Sequence, residues 1–158
     1  MPAGDVTFFN QGLLDLGNKI HDMDTDDWRI GLVTTATAPT KATAAPHWGG
    51  TGTTNFATTQ VSTGGSSYTG PVVMTAETWA TTSNEQRWSA AKIGPLAVDA
   101  SGPTNIAWGI IYNNTDANKR AMAFVEISAG GTVSLVSGPL EIRWNSVDGT
   151  GQIGRIGN

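Results

Sequence analysis

Residues 104–127 constrain the fold more than any other stretch, reading TNIAWGIIY, then NNTDANKR, then AMAFVEI. Ile106, Trp108, Ile110 and Tyr112 fall on one side of a period-two ribbon and Ala107, Gly109 and Ile111 on the other, so neither face carries charge. In the return run, Met122 and Phe124 alternate with Ala121, Ala123, Val125 and Ile127, and Glu126 is the single charge. The pattern predicts a central β-hairpin. Two adjacent strands this apolar need cover on both faces, which the other strands and at least one helix must supply.

A chain of 158 residues fits one domain and can bury about 68–70% of the surface its unfolded form exposes. Charged residues make up 14%, against about 25% in ordinary soluble proteins, so the surface is polar but weakly charged. With strand edges and little charge to repel neighbours, such a chain is suited to assembly, itself as a homo-oligomer included. The net charge of −4 and nine unclustered basic residues argue against nucleic acid or an anionic membrane as direct partner. Cysteine is absent, which excludes disulfides and thiolate metal sites. No apolar run approaches a membrane span, and residues 1–10 lack a basic segment followed by an apolar one, so synthesis in the cytoplasm without a secretory signal is expected.

From the N-terminus, Asp5 is a candidate helix cap, and Phe9, Leu13, Leu16 and Ile20 form one helical stripe, predicting a helix over about residues 5–22. Gly12 and Gly17 each weaken it by about 1 kcal/mol relative to Ala, so its stripe must lie on something else. Asp22, Asp24, Asp26 and Asp27 follow. Their spacing invites a calcium loop, but Asp27 stands where such a loop needs Gly and Val33 where it needs Glu, which favours a solvated turn with Asp side chains capping backbone amides.

Trp28, Ile30 and Leu32 alternate with Arg29, Gly31 and Val33, predicting a strand beside the central pair. Residues 36–59 are dense in Thr, Ala, Gly and Pro without sustained period, which predicts a long arm. Within it, Trp48 either folds back over the domain with a solvated His47 beside it, or anchors in a neighbour. Further strands are expected at residues 60–62, 68–79, 88–98, 132–136 and 140–144, with a polar connection over 78–87. Mainly β, the chain is expected to form an antiparallel β-sandwich or jelly roll with one short N-terminal helix. Residues 1–144 form the domain and 145–158 a Gly-rich C-terminal tail.

Chemistry is sparse. The two histidines, His21 and His47, lie in a polar turn and in the arm, away from any nucleophile elbow, and candidate paired carboxylates come only from Glu77, Glu85, Asp99, Glu126 and Glu141. No enzyme activity, metal or cofactor is expected. Trp48, Trp79 and Trp88 are candidates for a sugar-stacking face, while Trp28, Trp108 and Trp144 fall on apolar strand faces and read as core.

The order FFNQGLLDLGNKIHDMDTDDWRIGLVTTATAP, then GGSSYTG, then IAWGIIYNNTDANKRAMAFVEI, then PLEIRW resembles a widespread group of small tailed-bacteriophage virion proteins. The matching motifs are Leu32-Val33-Thr34, Ser67-Tyr68-Thr69 and the hairpin tip Tyr112-Asn113-Asn114-Thr115 with its apolar return strand. The arm over 36–59 and the extended tail depart from the group. The resemblance implies a structural virion component, with a capsid cement or decoration protein as the preferred member and a tail or baseplate component as the rival. The implied partner is the major capsid protein and the implied location the capsid surface. Partner contacts are then expected from His47 and Trp48 in the arm and from Ile153, Arg155 and Ile156 in the tail, because neither segment has a core of its own.

Overall fold

The largely apolar hairpin lies at the centre of the protein, with layers on both faces. In a computed structural model, which describes residues 5–82, 85–144 and 152–156, the chain opens with strand β1 (Val6–Phe8) and helix α1 (Asn10–Gly17). Strands β2 (Trp28–Val33), β3 (Pro46–His47) and β4 (Thr54–Asn55) follow, then a short 3-10 helix over Phe56–Thr59. Next come β5 (Val72–Val73), β6 (Thr78–Thr82), β7 (Glu85–Ser89) and β8 (Ile93–Leu96). The central hairpin is β9 (Trp108–Asn113) and β10 (Ala121–Glu126), after which β11 (Leu140–Ile142) and β12 (Gln152–Ile156) complete the set.

Five strands form one antiparallel sheet in the order β1-β10-β9-β2-β5. As its alternation predicts, β2 runs beside the hairpin, from Trp28 opposite Asn113 to Val33 opposite Trp108. One face carries Trp28, Ile30, Leu32, Ile111 and Val125, buried against Trp88, Ile93, Leu140 and Ile153 from the sheets β12-β7-β6 and β11-β8 and against Trp144 just after β11. The other face carries Val33, Ile110, Tyr112 and Phe124, covered by Phe9, Trp48 and Phe56. The sandwich therefore has a third layer, built from the chain around α1 and residues 36–59. Among the described residues, no helix is long and apolar enough to cross a membrane.

Several local expectations are corrected. The helix predicted over 5–22 is confined to Asn10–Gly17, because Val6–Phe8 is taken as an edge strand by β10, with Val6 opposite Val125 and Phe8 opposite Ala123. Phe9 rather than Asp5 holds the cap position, without a side-chain hydrogen bond. The buried helical positions are Gly12 and Asp15, while Leu13 and Leu14 face outward. A Cβ on Gly12 would stand 2.6 Å from the Met122 carbonyl oxygen, so glycine lets the helix rest on the backbone of β10. A register shift between Ala121 and Ala123 also breaks the simple alternation of β10. It places Met122 in the same cluster as Ala123 and Val125, not with Phe124.

The polar connection expected over 78–87 is instead the antiparallel pair β6–β7, whose Thr-rich run suits a strand. The strand expected over 68–79 is limited to Val72–Val73 before the chain turns at Ala76, whose φ is 54°. Within 132–136 Val133 makes a single bridge to Ile106 and no strand forms. The tail is not separate from the body: β12 pairs with β7, with Gly154 opposite Trp88, and Ile153 is 4% exposed in the core. Residues 145–151 and 157–158 of the predicted tail lie outside the described residues.

Candidate functional site

The segment expected to be an open arm is folded onto the sheet. Gly31 in β2 leaves a bare patch on which the Trp48 indole lies, since a Cβ there would overlap the ring. Trp48 also stacks on Tyr112, with ring centroids 5.4 Å apart and planes 6° from parallel. Its backbone N–H donates to the Lys119 carbonyl at 2.9 Å, and His47 beside it bridges to Arg120. Asn55 ties the segment together, its Oδ1 accepting from the N–H groups of Gly49 (2.8 Å) and Ala57 (3.1 Å). Phe56 is fully buried beneath.

The premise for partner contacts from this segment is therefore overturned, because it has a core in common with the sheet. His47 is 3% and Trp48 5% exposed, which answers to a Trp folded back over its own domain, although His47 is covered rather than solvated. Ile153 is likewise covered by the chain itself. Arg155 and Ile156 pair through their backbones with Arg87 and Gln86, and their side chains lie outside the described residues. His47 and Trp48 lie together: Trp48 stacks on Tyr112, and His47 bridges to Arg120.

Below this layer is a polar cluster that sequence periodicity passes over. His21 and Asn113 are both buried, and Asn113 Nδ2 lies 3.2 Å from His21 Nδ1 and donates to Asp26 Oδ2. The aspartates of the 22–27 turn cap neighbours, as their spacing suggested. Asp22 Oδ1 accepts from the N–H groups of Asp24 and Thr25, Asp26 Oδ2 from that of Asp22, and Asp24 Oδ1 from that of Trp79. Arg29 donates to Asp27 and, first among the causes, holds that carboxyl below its ordinary range. Asn114 Nδ2 also donates to Asp27 Oδ2, at 2.7 Å. The 22–27 turn and the hairpin tip are thus one bonded unit. Asp15 adjoins a pocket of about 140 Å³ with Gln11, Thr51 and Arg120; its Oδ1 accepts from Gln11, and its Oδ2 is buried without a hydrogen bond. Among the described residues no group of three or more His, Cys, Asp or Glu is placed to hold a metal ion.

Four of the five carboxylates considered for acid–base chemistry serve as structural clips. Asp99 Oδ2 and Oδ1 accept from the N–H groups of Ser67 and Ser101, both at 2.9 Å, and Ser66 also donates to Oδ2. These bonds lower its pKa to about 2, Ser67 contributing most. Glu126 accepts from Gly130 N–H, Glu141 pairs with Lys92 and Arg143, and Glu85 pairs with Arg87. Of the tryptophans considered for sugar stacking, Trp88 is fully buried edge-on to Trp28 and Trp48 is covered, while Trp79 is partly buried against the core. Trp28 and Trp144 are core residues and Trp108 is half-buried.

Among the described residues, large aliphatic side chains are exposed at three places: Leu13 and Leu14 on α1 (39% and 56% exposed), Val73 alone on the edge strand β5 (49%), and Val98 and Val136 (57% and 42%). Val98 and Val136 are brought close by the hydrogen bond from Asp99 N–H to the Leu135 carbonyl. Sequence reasoning missed both pairs, because it assigned Leu13 to the buried stripe of the helix and Val98 and Val136 to the ends of strands that do not reach them. The chain matches no family model, and no curated protein or solved structure is significantly similar to it.

Proposed function

We propose that this protein is a structural virion component of a tailed bacteriophage, a capsid cement or decoration protein that binds across seams between major capsid protein subunits. The observation that carries the reading is the two places where exposed aliphatic side chains come in pairs, Leu13–Leu14 and Val98–Val136, on a body that is weakly charged and exposes Val73 singly besides. Two patches suit a molecule that touches two neighbours, and the sequence order of helix, strand and hairpin tip supports the same reading by resemblance. Because residues 36–59 and strand β12 are folded onto the body, it docks as a preformed staple rather than by ordering an arm. Expansion or genome pressure must then break the added contacts before capsomers separate.

Fractionation of virions tests this directly. A cement protein co-sediments with genome-filled heads at fixed stoichiometry, whereas a tail or baseplate component tracks with tails. Leu14→Asp and Val98→Asp, both on exposed positions, should lower occupancy on heads while the isolated protein melts as the wild type does. Full occupancy of both variants defeats the two-patch reading. Retention of the protein on polysaccharide, lost on Trp79→Ala, would mark a glycan-binding module instead.

A further inference from the structure

We infer that His21 and Asn113 form an acid-released latch that holds the hairpin turn over residues 114–120, and through it the Trp48 segment, against the sheet. The orientation of the Asn113 amide follows from its neighbours. Its Oδ1 accepts from the backbone N–H groups of Thr115 (2.8 Å) and Asp116 (3.1 Å), so Nδ2 is the atom that faces Asp26 and His21. An amide nitrogen only donates; His21 Nδ1 therefore accepts, and the neutral ring carries its proton on Nε2. That Nε2 is buried and has no hydrogen-bond partner.

Burial favours the neutral ring. Desolvation holds His21 below its ordinary value, and Arg120 adds to that lowering, while Asp15, Asp116 and Asp26 oppose it. These four are the charged groups that face the imidazole, from α1, from the 22–27 turn and from the hairpin turn.

A proton on Nδ1 sets donor against donor. If Asn113 turns over to accept it, Oδ1 leaves the Thr115 and Asp116 amides and meets the Asp26 carboxylate oxygen. If the imidazolium swings away instead, Asn113 loses its buried partner. Either way the turn loses its internal cap. That turn presents the Lys119 carbonyl to Trp48 N–H and bridges Arg120 to His47, so the Trp48 segment loosens with it.

The sign follows from linkage. In the open state His21 is solvated and titrates near 6.5, the closed state titrates lower, and opening takes up a proton. Opening is therefore flat above about pH 6.5 and grows by at most about tenfold per pH unit below it, until the closed state is itself protonated.

Amide hydrogen exchange on the full chain, corrected for its intrinsic pH dependence, tests the latch at about pH 7.5 and about pH 5.5. The Trp48, Thr115 and Asp116 amides should lose protection at the lower pH, by at most about tenfold, while Ile111 in β9 holds. His21→Gln keeps an acceptor for Asn113 but cannot titrate, and should abolish the difference; His47→Gln, which removes the other histidine, should keep it. Equal protection at both pH values in the wild type, or an undiminished pH response in His21→Gln, overturns the inference. Should His21→Gln not fold, the His21 ring protons in the wild type decide. A midpoint shared with the Thr115 and Asp116 amide shifts supports the latch, and a separate midpoint overturns it.

Discussion

Trp48 and Tyr112 stack nearly parallel, 5.4 Å apart, over a glycine in the neighbouring strand, Gly31, whose missing side chain is the space the indole occupies. Gly31→Ala puts a methyl group inside that ring and should cost about 1–3 kcal/mol. Trp48→Ala empties the same site and should cost about 3–5 kcal/mol. Because the two changes act on one contact, their urea-denaturation penalties should be clearly less than additive in the double variant.

The two helical glycines should respond in opposite directions. Gly12 touches the backbone of Met122, so Gly12→Ala must push α1 off β10 and lower the melting temperature despite the better helix propensity of Ala. At Gly17 a Cβ meets nothing within 4 Å, so Gly17→Ala should stabilise the protein, by at most about 1 kcal/mol. Equal signs from the two melting curves would refute the packing role of Gly12.

Removal of residues 151–158 should not leave an intact domain. It takes away strand β12 and with it Ile153, which is 4% exposed among core residues. Ile153→Ala alone should cost about 2–5 kcal/mol, and the truncation more, measured by thermal unfolding. A truncated chain that melts at the wild-type temperature would return the segment to the status of a free tail.

Alkaline titration reports on both tyrosines. Burial is the main cause that raises Tyr68 and Tyr112, each to about 12, from an ordinary value of 10.0. The unfolded chain releases those protons first, so the stability linked to them is complete below pH 10 and is lost as pH rises toward 12. Ultraviolet absorbance of the phenolate should show no step near the ordinary tyrosine value while the protein is folded. Tyr68→Phe also strips the Leu32 N–H of its acceptor at 2.9 Å, which should cost about 1–3 kcal/mol.

Both strands of the hairpin, strand β2 beside it and the short strand at Leu140–Ile142 were legible as period-two runs, and so was the need for cover on two faces. The site was less so. Asn113 reads as one more polar loop residue, yet it is 1% exposed, because Asp26 and His21 from a turn some ninety positions earlier close over it. Leu13 looks like the inward stripe of a helix and points outward, because Gly12 is the residue small enough to touch β10.

Local alternation and composition alone determined that the protein is an antiparallel sandwich about a largely apolar hairpin, since side-chain period along a strand dictates which residues must leave water. Tertiary structure alone decided that the Thr-rich segment and the tail belong to the body. Neither has an internal period, and their order comes from distant partners: the bare patch at Gly31 and the face of Tyr112 for Trp48, and strand β7 for residues 152–156. Sequence can state that a segment lacks a core of its own; whether another part of the same chain supplies one is settled only when the chain is folded.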